Sequence, residues 1–414
     1  MTRTILVVAC IVVLCLTTGL STRPAAAAVD PIAEWSAVAS SAAAASGMSP
    51  LRTPITLAIL HLAMYDAVTA IAGDRQPYAV NPRVPRRASA YAAAVEAGYR
   101  ALLVEFPSQH ARLQITYEQL LAGEPDGVAK GLGVKVGAAV ARRLLTLRAN
   151  DGRNDVITYM PGSGPGVWVP TPPGFLPATT AFLARVAPFT MNSPSQFRPS
   201  GPPRLRSRRW TADYNEVKAL GAKDASARTT EQTATALFWQ PLAGTVWPAT
   251  IRRLAREQLL DLKSSARFQA AAFAAFADGL IACWDAKFHF NFWRPVTAIQ
   301  KGDTDRNRRT EADPAWEPLA DTPNFPEYPS GHACATAAVA HTIEDFFQYD
   351  VSIPVRNVVT GEERFYRRAT EVVDEVVEAR MLLGIHFRSA DEDGADIGWK
   401  IARQIRRDWF NRQD

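Results

Sequence analysis

Seven residues in the last third of the chain have side chains or backbone groups suited to holding one oxoanion. In "WDAKFHFNFWRP" (284–295), Lys287 and Arg294 stand seven apart. That is nearly two helical turns, so both point to one face, and Pro295 is expected to end the regular helix. In "FPEYPSGHACATAAV" (325–339), Pro329 stops any preceding helix and Ser330 is a good N-cap. Gly331 leaves its backbone N–H uncovered at the head of an alanine-rich helical run. Open amides at a helix N-terminus attract anions, and His332 beside them can move protons near neutral pH. "ARMLLGIHFRSADEDG" (379–394) adds Arg380 and, six residues later, His386. Six residues do not return to the same helical face, so a break is expected near Gly384. Singly, these are a capped helix, cations stacked on tryptophan and a core histidine. Together they offer three cations, a hydroxyl, an open amide and two histidines. That set suits a tetrahedral or trigonal-bipyramidal oxoanion, each charge-assisted hydrogen bond contributing about 1.5–3 kcal/mol.

Lys-x6-Arg-Pro, Pro-Ser-Gly-His and Arg-x5-His, in this order, resemble the signature shared by vanadium-dependent haloperoxidases and type 2 phosphatidic acid phosphatases. "FWRP", "FPEYPSGHA", "LGIHFR" and Trp284 three residues before Lys287 look like the chloroperoxidase-like branch. So do "YNEVKALGAKDASARTTEQTATALFW" and the N-terminal "LAILHLAMYDAV". The resemblance covers about residues 50–412. It implies vanadate as cofactor, bound at its apex by His386. Lys287, Arg294, Ser330, the Gly331 amide and Arg380 would hold the equatorial oxygens. His332 would be the acid–base group, and Trp284 and Phe325 would line the halide pocket. Hydrogen peroxide and halide would be the substrates and hypohalous acid the product, with fixed cations pulling electron density from the peroxide.

Phosphate shares the shape of vanadate, so a phosphomonoesterase is the alternative. There His386 would form a phosphohistidine and His332 would protonate the leaving group. A non-catalytic oxoanion binder is the third reading. The aromatic surroundings Trp284, Trp293, Phe325 and Tyr328 favour the haloperoxidase branch. The chain departs from the family pattern at three places. Ala379 stands where the family has serine, and Ala390 where it has an aspartate. Asp391, one residue later, reads as an N-cap for the last helix. "WQPLAG" after Trp239 offers no acid to support Arg380. Of the other histidines, His341 faces away from His332, His289 lies off the Lys287 face and His110 looks exposed. His61 and Asp66 read as structural.

These residues must be positioned by helices. "RTPITLAILHLAMYDAVTAIAG" begins at Thr53 and Pro54, ends at Gly73 and carries a stripe of Leu57, Leu60, Met64, Val68 and Ile71. Helical patterns follow at about 88–105, 108–122 and 126–149, then 211–221, 229–240, 247–262, 265–292, 331–347, 363–389 and 393–411. No strand alternation is convincing. The expected fold is all-α, two packed helical bundles with the oxoanion site in the C-terminal one. The expected divisions are an N-terminal bundle (29–159), a proline-rich crossover (160–209) and a C-terminal bundle (210–414). Eleven of the 29 prolines fall in 160–205. That stretch is too aromatic for a disordered linker and reads as a packed wall.

The chain has 414 residues, 47% of them hydrophobic, enough for a sizeable core. Residues 1–28 read as a secretory leader, with Arg3, the apolar run "ILVVACIVVLCL" and small residues before a cleavage near Ala28. The expected protein is secreted, without a membrane anchor, and no later stretch reads as a span. Removing the leader lowers the formal charge from +5 to +3. That balance is mild, and the basic "RLRSRR" at 204–209 lacks aromatic interleaving, so nucleic acid is not an expected partner. Cys10 and Cys15 leave with the leader. Cys283 and Cys334 remain, either bridged or as buried thiols. The sequence sets no oligomeric state.

Overall fold

The computed structural model describes residues 29–85 and 87–412; the leader expected at 1–28, with Cys10 and Cys15, lies outside them. The first helices are α1 (Pro31–Ala45), α2 (Thr53–Ala72), α3 (Ala90–Glu105), α4 (His110–Ala122) and α5 (Val128–Leu147). After the crossover come α6 (Arg208–Leu220), α7 (Thr230–Phe238), α8 (Ala243–Glu257), α9 (Leu262–Phe290) and α10 (Pro295–Gln300). The last are α11 (Gly331–Phe347), α12 (Ala369–Leu382) and α13 (Arg388–Asp408). The all-α expectation holds, with one addition. Strands β1 (Ile353–Arg356) and β2 (Glu363–Tyr366) form an antiparallel hairpin pairing Ile353 with Tyr366 and Arg356 with Glu363. Four-residue strands are too short to show an alternation, and residues 363–368 therefore precede α12 rather than belonging to it.

Local chemistry explains five of the helix starts. Asp30, Ser89, Ser207 and Asp261 each accept a backbone N–H two or three residues on, and Thr229 closes a capping box with Gln232. α9 and α2 are apolar on every side rather than along one stripe. Helices of that kind belong in a core. Both are long and apolar enough to cross a membrane, contrary to the sequence reading, but 94% and 89% of their apolar windows are buried inside the fold. α2 packs on α9, and one hydrophobic core runs from Ile32 of α1 to Phe410 beyond α13. α11 packs against α13, α9 and α12.

The crossover is pinned rather than loose. Asp278 of α9 accepts hydrogen bonds from Phe189 N and Thr190 N, both 2.7 Å, and from Thr190 Oγ1 at 2.6 Å. Arg148 donates to the carbonyls of Pro188 and Ala187 and pairs with Asp151. Asp66 accepts three backbone N–H groups, from Tyr78, Ala79 and Val80, which is the structural role its position implied.

His61 is also structural, but at a cost. It is fully buried, stacked on Phe273 at 4.5 Å, and neither ring nitrogen has a hydrogen-bond partner among the described residues. Burial, then the Arg252 cation, holds its pKa well below the ordinary value. The unfolded chain therefore takes up a proton near pH 6.5 that the folded chain refuses, and stability falls as pH drops through that value. His61→Leu is expected to gain on the wild type as pH is lowered from 7.5 to 5.5, by up to about 1.4 kcal/mol per unit below 6.5. Urea unfolding at the two pH values measures this, and parallel profiles would rule out His61 as a source of acid sensitivity.

Candidate active site

α9 delivers Lys287 in its last turn and stops at Asn291, whose φ of 48° is left-handed. Pro295 ends nothing: it is the first residue of α10, and Arg294 is that helix's N-cap. α11 opens at Gly331 with Ser330 as N-cap, yet Ser330 makes no side-chain capping bond. Its hydroxyl is thereby left free for another partner. α12 ends at Leu382, and Gly384 has φ 75°, the expected break. A side chain there would run into the Gly221 carbonyl. The break turns the chain so that His386 reaches the groups that Lys287 and Arg294 approach from the other side.

Lys287, Arg294, Ser330, Arg380 and His386 are each at most 2% exposed, and His332 is 7% exposed. Arg294 donates through Nε to the Phe325 carbonyl (3.0 Å) and through Nη1 to the Ile385 carbonyl (2.8 Å). Nη1 also lies 3.2 Å from His386 Nε2. Arg380 donates through Nη1 to the Trp239 carbonyl at 2.8 Å. Arg294 Nη2, Arg380 Nε and Ser330 Oγ are buried without a hydrogen-bond partner among the described residues. Gly331 lies against Trp284: a Cβ there would come within 3.0 Å of the indole. Trp284 and Phe325 lie 5.0 Å apart with their rings tilted by 53°, and Lys287 Nζ and the Arg294 guanidinium sit 5.2 and 5.0 Å from the Phe325 ring. Trp284 is held from outside by its Nε1–H to Thr180 Oγ1, 3.0 Å away in the crossover.

Lys287 departs from its expected part. Its Nζ donates to three carbonyls, of Pro326, Glu327 and Pro329, at 3.0, 2.8 and 2.5 Å. It thus shapes the Pro-Ser-Gly-His turn and contributes charge rather than a free donor. Burial lowers the pKa of Lys287 to about 8, of Arg380 to about 9 and of Arg294 to about 10. A cluster of buried cations short of acceptors is what an anion would relieve.

The hydrogen-bond partners of the two histidines call for opposite tautomers. His332 Nε2 lies 3.0 Å from the Pro241 carbonyl, which can only accept, so Nε2 carries the proton and Nδ1 the lone pair. Burial, then the Arg380 cation, keeps its pKa well below the ordinary value. His386 shows the opposite arrangement. Its Nδ1 is 2.8 Å from Glu327 Oε1, and that oxygen also accepts the Phe387 N–H at 3.1 Å. Burial, then the Arg294 cation, holds the pKa of His386 well below the ordinary value.

Three features escaped the sequence reading. Glu327 stands inside the middle block, two residues before Pro329. The absence of an aspartate at position 390 was the signal to look for another acid near His386. The carbonyls of Trp239 and Pro241 stand where no acid was found, supporting Arg380 and His332; a backbone group leaves no mark in residue types. Asp391, expected as an N-cap, is not one: Phe387 takes that position. Asp391 is fully buried beside Ser330 and Arg380, and burial raises its pKa well above the ordinary value. His341 pairs with Glu344, 3.6 Å away and outside the site, as its helical face implied. Cys283 and Cys334 are free, buried thiols.

Fold and site together define a predominantly helical protein with a buried cluster of cations, several of whose donors have no protein acceptor among the described residues. Residues 267–410 match the family model of the VCPO second helical-bundle domain. The vanadium chloroperoxidase of Curvularia inaequalis is 28% identical over a 270-residue alignment covering 47% of this chain and 43% of that protein. The match therefore spans less than half the length of this curated relative. A solved bacterial vanadium-dependent iodoperoxidase superposes with a TM-score of 0.78 at 22% identity, covering 95% of this chain and 99% of that one. The holo form of a bacterial vanadium-dependent chloroperoxidase gives 0.65 at 19%, covering 87% and 92%. The family model thus matches residues 267–410, and the chain shares its fold with the solved vanadium-dependent haloperoxidases.

Proposed function

We propose that the protein is a secreted vanadium-dependent haloperoxidase that uses hydrogen peroxide to oxidise halide to hypohalous acid. One observation carries the reading. His386 Nε2 lies 3.2 Å from Arg294 Nη1, and Arg294 Nη2, Arg380 Nε and Ser330 Oγ are buried donors with no protein partner among the described residues. That donor set fits vanadate, with His386 as the metal ligand. Arg294, Arg380, Ser330 and the Gly331 amide would hold its oxygens, and Lys287 would add charge. When bound, vanadate supplies the Lewis acidity that makes a peroxide oxygen electrophilic toward halide. The chain's own work is to hold that charge and to handle protons. His332 Nδ1 is free to take a proton from incoming peroxide and return it as product leaves. Trp284 and Phe325 wall the cradle with apolar surface, which excludes water and suits a large, weakly hydrated halide.

A phosphomonoesterase remains the second reading because Glu327 supplies the orienting acid that a nucleophilic His386 would need. Paired assays separate the two. Protein recovered from culture medium, its intact mass lacking residues 1–28, is divided into vanadate-loaded and vanadate-free samples. The expected result is phenol bromination with peroxide and bromide in the loaded sample alone. Hydrolysis of an aryl phosphate by the vanadate-free sample, without bromination by the loaded one, would overturn the proposal.

A further inference from the structure

We infer that Glu327 is the positioning residue of His386: it locks the ring with Nδ1 protonated and Nε2 bare, in place of the aspartate missing at position 390. The consequence for vanadate rests on the function proposed above; the ring state itself does not. Two contacts on opposite sides of the ring demand the same tautomer. The Arg294 guanidinium can only donate, so His386 Nε2, 3.2 Å from its Nη1, must accept. On the other side, Glu327 Oε1 accepts from Nδ1 at 2.8 Å while also accepting from Phe387 N. Both partners are buried, Glu327 completely, so the bond is shielded from bulk solvent.

The backbone of Glu327 is as constrained as its side chain. Its N–H donates to the Phe292 carbonyl at 2.9 Å, and its carbonyl accepts from Lys287 Nζ at 2.8 Å. One residue thus joins the segment carrying Lys287 and Arg294, the turn carrying Ser330 and His332, and the loop carrying His386. Asp391 does not share the task. It lies on the Ser330 and Arg380 side, with its carboxyl turned to the Ser330 hydroxyl. An acid behind a ligand histidine fixes ring orientation and raises donor strength, and losing such a partner typically costs about 10–100-fold in metal affinity.

The test uses the full chain labelled with ¹⁵N-histidine, the His386 signals being assigned by their loss in His386→Ala. Vanadate affinity is measured by calorimetry on the same samples without peroxide. Wild type is expected to show a single tautomer, protonated at Nδ1. Glu327→Leu is expected to mix tautomers and to weaken vanadate binding about 10–100-fold. Glu327→Gln should rescue both largely, since the Phe387 N–H selects the amide oxygen to face His386. An unchanged tautomer and unchanged affinity in Glu327→Leu overturns the inference. So does wild type protonated at Nε2, a measurement that needs no variant to fold. Wild type with the expected tautomer but no vanadate binding would sink the proposed function and leave the role of Glu327 standing.

Discussion

His386→Ala is expected to lose vanadate binding and halogenation together, whereas His332→Ala should keep most of the binding and lose turnover. Alanine at 386 removes the ring that would form the direct bond to the metal, and a loss of 100-fold or more, about 2.7 kcal/mol, is the expected scale. It also leaves Glu327 buried without its main partner, so the variant's fold should be confirmed by its thermal melt. Alanine at 332 leaves Arg294, Arg380, Ser330 and the Gly331 amide in place, so affinity should shift by only a few fold. What disappears is the Nδ1 lone pair that handles the peroxide proton, and general acid–base groups typically contribute about 10²–10⁴ in rate. Vanadate titration and bromination rate, measured for both variants beside wild type, decide the assignment. Tight binding by His386→Ala with loss in His332→Ala would reverse the two roles. No effect of either change on bromination would end the haloperoxidase reading.

The helices that carry the site were legible because their signals are local. α11 begins at Gly331 and ends at Phe347, as the Ser330 start and the alanine run indicated. The break near Gly384 followed from arithmetic alone, six residues being incompatible with one face. Elsewhere the same local signals misled. Pro295 reads as a stop in the sequence, but proline at the first position of a helix is also a start, and α10 uses it so. α1 went unread because its buried face is made largely of alanine and serine beside Trp35, which carry little periodic contrast. Its Asp30–Pro31 start directly follows the expected leader.

The candidate site was legible in its positive charges and not in what holds them. Arg294, Arg380 and His386 had recognisable spacing. The supports of the site are Glu327 behind His386, the Trp239 carbonyl at Arg380, the Pro241 carbonyl at His332 and the Thr180 hydroxyl at Trp284. Two of those supports are backbone atoms, available from any residue type. The other two come from segments whose approach depends on tertiary packing. The displaced aspartate shows the same limit. Reading positions 390 and 391 as a loss of orientation was sound helical geometry, but an acid 63 positions earlier supplies the contact. Spacing within one helix cannot reveal a substitute from another segment.

Asp278→Ala is expected to be the most destabilising single change outside the site, and to weaken the site from a distance. The carboxylate accepts from Phe189 N, Thr190 N and Thr190 Oγ1, all within 2.7 Å, and is fully buried. Alanine would leave two backbone N–H groups and a hydroxyl buried without an acceptor, each costing about 1–3 kcal/mol, so the sum should be on the order of 3–5 kcal/mol after relaxation. Asparagine should cost less, since one oxygen still accepts while its NH₂ faces a donor. Guanidinium unfolding of the three proteins measures this. The effect on function follows from the path of the chain. The segment fixed by Asp278 continues back to Thr180, whose hydroxyl holds Trp284, and Trp284 packs against Gly331 and Phe325. Freeing residues 181–190 should let that wall move, so Asp278→Asn, if folded, should bind vanadate more weakly although it touches none of the cradle. An unfolding midpoint for Asp278→Ala equal to that of wild type would show that the crossover is not anchored there, and the link from α9 to the Trp284 wall would fall with it.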